Sequence, residues 1–299
     1  MSAAYGSIAT VIGRWRLRRA GRVDGVLQVG TSYRVRHDNL VSFEDMTIPQ
    51  AMLSEQTNWH LMTFPQYRRR ASRQRAVYRT VSGAAFTTSW ASTSAVQECG
   101  LDPRRAYEVG IGVNFPGVPA EDRDWTVPKF LFLARVWETK GVPTVVEAFR
   151  KIREKHPKSE LHLVGGHPEI TEPGVYGHGP VSISDPESAR TVSRIWSTVT
   201  CLVVPSVFEA AGIVFAEAKH AGVPSIGGNL GGASDVIGSA GLTVDPGDVD
   251  GLADAMLRMC DPDVAKKFAT NALASAPEYT WTSVVSKIRD IYTDASGPR

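Results

Sequence analysis

From about residue 130 onward, short apolar runs alternate with stretches whose apolar positions recur every three or four residues. FLFLAR (130–135), LHLVGG (161–166), CLVVPS (201–206), VPSIGG (223–228) and GLTVDP (241–246) have the length and composition of buried strands. Between them VPTVVEAFRKIREKH (142–156), PESARTVSRIW (186–196), GIVFAEAKHAG (212–222) and VDGLADAMLRM (249–259) carry helical periodicity. This alternation predicts βαβ units, a parallel sheet with right-handed crossovers, and helices on both faces. The first half repeats the pattern more sparsely, with strands expected at 25–30, 39–45, 84–89 and 107–112 and helices near 5–19, 67–81 and 91–98. NFPGVPAEDRDWTVP (114–128), proline-bearing and without periodicity, separates the halves.

The chain's 299 residues suit two ordinary domains better than one core. The expected fold is α/β: two doubly wound Rossmann-like domains facing across a cleft. Their expected bounds are 1–118 and 129–276, with a linker at 119–128 and a helix at 277–299 crossing back to the first domain.

Composition narrows the class. A hydrophobic share of 42% with 21% charged residues excludes disordered and fibrous proteins. No apolar run approaches a membrane span, and arginines at 14, 16, 18, 19 and 22 interrupt any signal-peptide core, so the cytoplasm is the expected location. Cys99, Cys201 and Cys260 are odd in number and widely spaced, which indicates neither a disulfide framework nor a zinc site.

The net charge of +2 conceals an asymmetry. Residues 1–125 hold 16 arginines, no lysine and 11 acids, a balance of +5, whereas the remainder holds 17 basic residues against 20 acids. The Arg68–Arg79 cluster could meet anionic lipid or a phosphorylated acceptor, or form a solvated helix face. Aromatics do not interleave with the basic runs, so nucleic acid is not expected as a partner.

Candidate chemistry concentrates in VPSVFEAAGIVFAEAKHAGVP (204–224). Glu209 falls in the loop after a strand, Gly212 allows a tight backbone, and Glu217 lies just over one turn inside the next helix. Amides at that helix start favour an anion such as a diphosphate. Arg135 ends the strand FLFLAR and Lys140 opens the following helix, a cationic pair that could neutralise a diphosphate leaving group. Asp122-Arg123-Asp124 lacks a preceding strand and reads as solvated charge rather than a metal motif. His162, inside an apolar strand, reads as a core residue, while His37 and His60 are possible acceptor contacts.

These segments, in the order R-x4-K, E-x7-E and GG-x2-D, resemble the retaining nucleotide-sugar glycosyltransferases of GT-B fold, in the glycogen-synthase-like group called family four. The resemblance implies that Arg135 and Lys140 hold the donor diphosphate, that Glu209 meets the transferred sugar and that Glu217 binds the ribose. Backbone at Gly212, Ile213 and Val214 would cradle phosphates or sugar, and a loop at Val175 and Tyr176 would approach the base. It further implies transfer with retention of configuration, no metal or other cofactor, and an unidentified acceptor. The family's N-terminal glycine-rich loop is missing, so a truncated first domain is expected, and Glu44 or Asp45 could orient an acceptor hydroxyl in place of the family's histidine. A catalytically silent sugar-nucleotide-binding subunit and a sugar-nucleotide epimerase are the alternative functions.

Overall fold

The computed structural model describes residues 3–53, 61–114, 119–120, 122–137, 140–167, 169–182 and 184–295. The chain divides into two compact units, residues 1–110 with 282–299, and residues 111–281.

The first unit opens with α1 (Ala3–Arg19) and a parallel sheet whose spatial order is β1 (Val26–Val29), β2 (Leu40–Glu44), β3 (Gly83–Phe86) and β4 (Ala106–Glu108). Helices α2 (Ile48–Ala51), α3 (Phe64–Tyr78) and α4 (Ser89–Gln97) lie between these strands in sequence. Thr63 and Gln66 form a reciprocal capping box at the start of α3, and Pro65 occupies its first turn. Alternation along the strands sends Leu40, Ala84 and Phe86 to one face, where they meet Val77 and Tyr78 of α3 and Ala91 and Ala95 of α4.

The second unit holds β5 (Lys129–Val136), α5 (Val142–Lys155), β6 (Glu160–Gly166), β7 (Val175–Gly177), α6 (Pro186–Thr198), β8 (Cys201–Val204), α7 (Ile213–His220), β9 (Ser225–Gly228), α8 (Ala233–Ile237), β10 (Gly241–Val244), α9 (Val249–Met259) and α10 (Pro262–Ser275). Its strands are all parallel in the order β10-β9-β8-β5-β6-β7. Winding runs outward in one direction from β5 and in the other from β8, so a crevice is available where those two strands end. Phe130, Leu131, Leu163, Leu202 and Val203 are buried, which accounts for the unbroken apolar runs of these strands. Phe130 also packs edge-on against Phe149 of α5, with ring centroids 6.2 Å apart.

The final helix, α11 (Trp281–Ala295), belongs mostly to the first unit. Its Val284, Ile288 and Ile291 cover Val41, Ala85 and Val109, the sheet face opposite α3 and α4. The sheet therefore gains its second helical layer from a segment distant in sequence.

Residues 111–128 are part of the second unit, and one expectation about them fails. Arg123 is not solvated: it is buried and donates to the carbonyls of Trp196, Ala221 and Gly222 at 3.2, 2.8 and 3.1 Å. Carbonyls left over at the ends of α6 and α7 attract a cation there. Burial pushes the Arg123 pKa down to about 10. Cys99, Cys201 and Cys260 are buried free thiols. Among the described residues, no helix is long and apolar enough to cross a membrane.

Candidate active site

A cleft of about 480 Å³ opens in the second unit beside the ends of β5 and β8. That volume suits a small ligand. Leu133, Val164, Val192, Trp196 and Val204 supply apolar walls, and Arg135, Lys140, Glu209 and Glu217 bring charge to the lining. These four candidates converge because β5 delivers Arg135, the turn before α5 delivers Lys140, and the segment joining β8 to α7 delivers Glu209.

Glu209 is fixed by backbone before its side chain is considered. It forms an isolated parallel bridge with Gly231, accepts the Gly232 amide at 2.8 Å and donates to the Leu230 carbonyl at 3.3 Å. Gly231 has φ +105°, and a Cβ there would overlap the Glu209 carbonyl oxygen. The paired glycines of GG-x2-D thus permit close approach of two backbones. The carboxylate end is fixed by Lys140, whose Nζ lies 2.5 Å from Glu209 Oε2, with both side chains about one-fifth exposed.

Gly212 caps α7 in the left-handed conformation at φ +73°. A Cβ at this position would approach the Phe215 ring to 2.5 Å and Glu209 Cγ to 3.0 Å. Ile213 and Val214, which open α7, line the cleft, and helix starts leave their first amides without intrahelical partners. Glu217 lies one turn after Ile213 on the same half-exposed side of α7, and both line the cleft.

Val175 and Tyr176 are placed differently from their expected role. They form the short strand β7 rather than a loop, paired to Leu161 and His162. Tyr176 stacks on His162 at 5.3 Å, and His162 also contacts His178, with Nδ1 to Nε2 at 3.0 Å. His162 is accordingly half-buried in an aromatic stack, and burial lowers its pKa. Pro180, Val181 and Ser182, further along the chain, reach the cleft instead. Sequence reading also missed Ser188, Val192 and Trp196, although their four-residue spacing along α6 gives one helix face, and all three line the cleft.

Glu44 does not form an open acceptor contact. Its side chain is buried at the end of β2 and accepts from Thr31, Ser42 and Gln74, each at 3.1 Å, and from the Tyr78 hydroxyl at 3.2 Å. Desolvation raises its pKa to about 7 against the lowering effect of those donors. Asp45, one residue on, is exposed. His37 is engaged on both sides, with Nε2 against the Val23 carbonyl and Nδ1 accepting the Asn39 amide, each at 3.1 Å, and His60 lies outside the described residues. Among the described residues, no group of three or more histidine, cysteine or acidic side chains is placed to hold a metal ion.

Residues 127–261 match the family model described as glycosyl transferases group 1. The D-inositol 3-phosphate glycosyltransferase of Nocardioides sp. is 28% identical over 226 residues, which cover 65% of this chain and 49% of that protein. The GDP-mannose-dependent alpha-(1-6)-phosphatidylinositol monomannoside mannosyltransferase of Mycobacterium tuberculosis is 30% identical over 181 residues, 54% of this chain and 46% of the relative. The chain spans about half the length of these curated relatives. Sucrose-phosphate synthase from Thermosynechococcus elongatus superposes with a TM-score of 0.68 at 19% identity, covering 96% of this chain and 71% of the other. The likeness of residues 127–261 is thus to glycosyl transferases of group 1, in a chain whose two parallel sheets have the GT-B fold.

Proposed function

We propose that the protein transfers a glycosyl group from a nucleoside-diphosphate sugar to an acceptor hydroxyl, with retention of anomeric configuration. The observation that carries this reading is the Lys140–Glu209 ion pair beside the start of α7, with Arg135 and Glu217 on the same cleft. A diphosphate has its natural counter-charges in Arg135, Lys140 and the α7 amides. In this reading Glu217 accepts from ribose hydroxyls and Glu209 from the sugar, while the apolar walls take the flat base.

In the reaction the bond from the sugar C1 to the departing phosphate oxygen breaks, and the acceptor oxygen bonds to C1 on the same face. The acceptor proton passes to the departing diphosphate. Arg135 and Lys140 stabilise the charge that grows on this leaving group, so in this reading no divalent cation is required. A protein nucleophile of the retaining-glycosidase kind is not required either. The reading places the enzyme in the cytoplasm and lets its arginine-rich first unit meet an anionic membrane surface. The acceptor is left open, since the relatives' inositol phosphate and phosphatidylinositol substrates are theirs.

Thermal unfolding with UDP-, GDP- and ADP-sugars tests the proposal. A bound donor at about 100 times its dissociation constant adds roughly 2.7 kcal/mol of stability. No stabilisation by any of the three would remove the proposal's foundation.

A further inference from the structure

Three histidines that the proposed transfer does not use converge on the chain just ahead of one wall of the cleft. His162 lies in β6, His167 follows that strand, and His178 follows β7. His162 Nε2 stands 3.2 Å from Glu160 Oε2, and Lys129 of β5 meets the same carboxylate oxygen at 3.3 Å. A carboxylate only accepts, so this ring nitrogen carries the hydrogen and Nδ1 is left as an acceptor. His178 Nε2, 3.0 Å from that Nδ1, therefore donates to it. The two ring planes differ by 19° with centroids 5.3 Å apart, an edge-to-edge arrangement that holds the shared hydrogen in the ring planes. Tyr176 covers a face of His162. Burial holds both histidines below their ordinary pKa, which keeps the pair uncharged at neutral pH and leaves one hydrogen between the facing nitrogens.

Backbone bonds fix the same short segment. The His178 amide donates to the Leu163 carbonyl at 2.9 Å, the Gly165 amide to the Gly179 carbonyl at 2.9 Å, and the Gly179 amide to His167 Nε2 at 3.3 Å. Gly177 leaves room for the His167 ring, because a Cβ there would overlap its Cε1. Pro180, Val181 and Ser182 follow directly and line the cleft. In the sheet, β7 and β8 lie on opposite sides of the β5–β6 pair. These three residues thus bound the cleft from the side away from α7, where the diphosphate is proposed to sit.

We infer that, on the nucleoside-diphosphate-sugar reading, His162 and His178 are positioning residues for the nucleotide: their shared hydrogen bond sets residues 180–182 as the wall against which the donor's base packs. Simple filling of the sheet edge would need only an apolar ring. A matched donor and acceptor, with Glu160 fixing which nitrogen is which, instead ties β6 to the one residue from which the wall departs.

The test uses three variants of the full chain. His162→Phe keeps a ring against Tyr176 and removes the acceptor, His178→Ala removes the donor, and His178→Gln retains an N–H donor. Calorimetry with UDP, GDP and ADP identifies the diphosphate that the parent binds most tightly, and inorganic pyrophosphate is the probe that lacks a base. His162→Phe and His178→Ala should each weaken that nucleoside diphosphate about tenfold and leave pyrophosphate binding unchanged. KM for the sugar nucleotide should rise in step while kcat holds, and His178→Gln should recover most of the loss.

Parental nucleotide affinity in both His162→Phe and His178→Ala would overturn the role. An equal loss of pyrophosphate binding would overturn it too, since that marks damage to the whole domain. So would a fall in kcat at unchanged KM, which would move the pair to the chemical step. A parent that binds pyrophosphate but none of the three nucleotides would sink the glycosyltransferase reading together with this one, whereas transfer by both variants at the parental KM would remove the histidine pair alone.

Discussion

Lys140 and Glu209 are 69 residues apart in sequence, yet Nζ and Oε2 meet at 2.5 Å, so the loops following β5 and β8 are tied together by one ion pair. Each side chain is mostly removed from solvent, and loss of either partner leaves the other charge uncompensated. The pair places the residue expected to sense the sugar against the residue expected to hold the phosphates.

Substitution should separate these roles. Glu209→Ala is expected to lower transfer by about 10²–10³ while calorimetry still detects donor, because Lys140 is released to the diphosphate. Lys140→Ala should instead lose donor affinity. Wild-type turnover by Glu209→Ala would refute the assignment.

Gly231→Ala tests the backbone contact that holds Glu209. The residue sits at φ +105°, and its new Cβ would overlap the Glu209 carbonyl oxygen. A cost of about 1–3 kcal/mol in denaturant unfolding is expected, together with weaker donor binding. Unchanged values for both would mean that the Glu209 loop tolerates displacement.

Glu44 gives the first unit a defined pH response. Its folded pKa of about 7 lies above the ordinary 4.5, so the folded state holds the proton more tightly. That contribution is complete below about pH 4.5 and is lost as pH rises towards 7, a change of about 3 kcal/mol. Glu44→Gln keeps an oxygen for Thr31, Gln74 and Tyr78 and should flatten this part of the stability profile. Parallel profiles for parent and variant would show that Glu44 does not titrate there.

Arg123→Met should lower stability by at least about 2 kcal/mol, because three buried carbonyls at the ends of α6 and α7 lose a charged donor. Its melting curve is the measurement, and a melting temperature equal to the parent's would exclude this role.

The second unit was largely legible in the sequence because its strands are continuous apolar runs and its helices carry long periodic faces. Arg135, Lys140, Glu209 and Glu217 could be placed together because strand ends and helix starts share one edge of a parallel sheet. Glu44 could not be read in the same way: VSFED shows a carboxylate at a strand end, but its donors come from Thr31, Gln74 and Tyr78, far along the chain. Arg123 stood among acids in a proline-bearing stretch, and only the folded positions of α6 and α7 reveal the carbonyls it serves. Val175 and Tyr176 fell in a glycine-bounded segment resembling a loop, where pairing with β6 makes a strand.

The covering of Val41, Ala85 and Val109 by α11 imposes an order of events on synthesis. The first sheet leaves the ribosome with one oily face bare and stays so until residues 111–281 have followed it. During that interval the nascent chain offers a sticky plane to chaperones or to neighbouring copies. The part made first is completed last, and a ribosome stalled before Val284 would release a protein with half its first core missing.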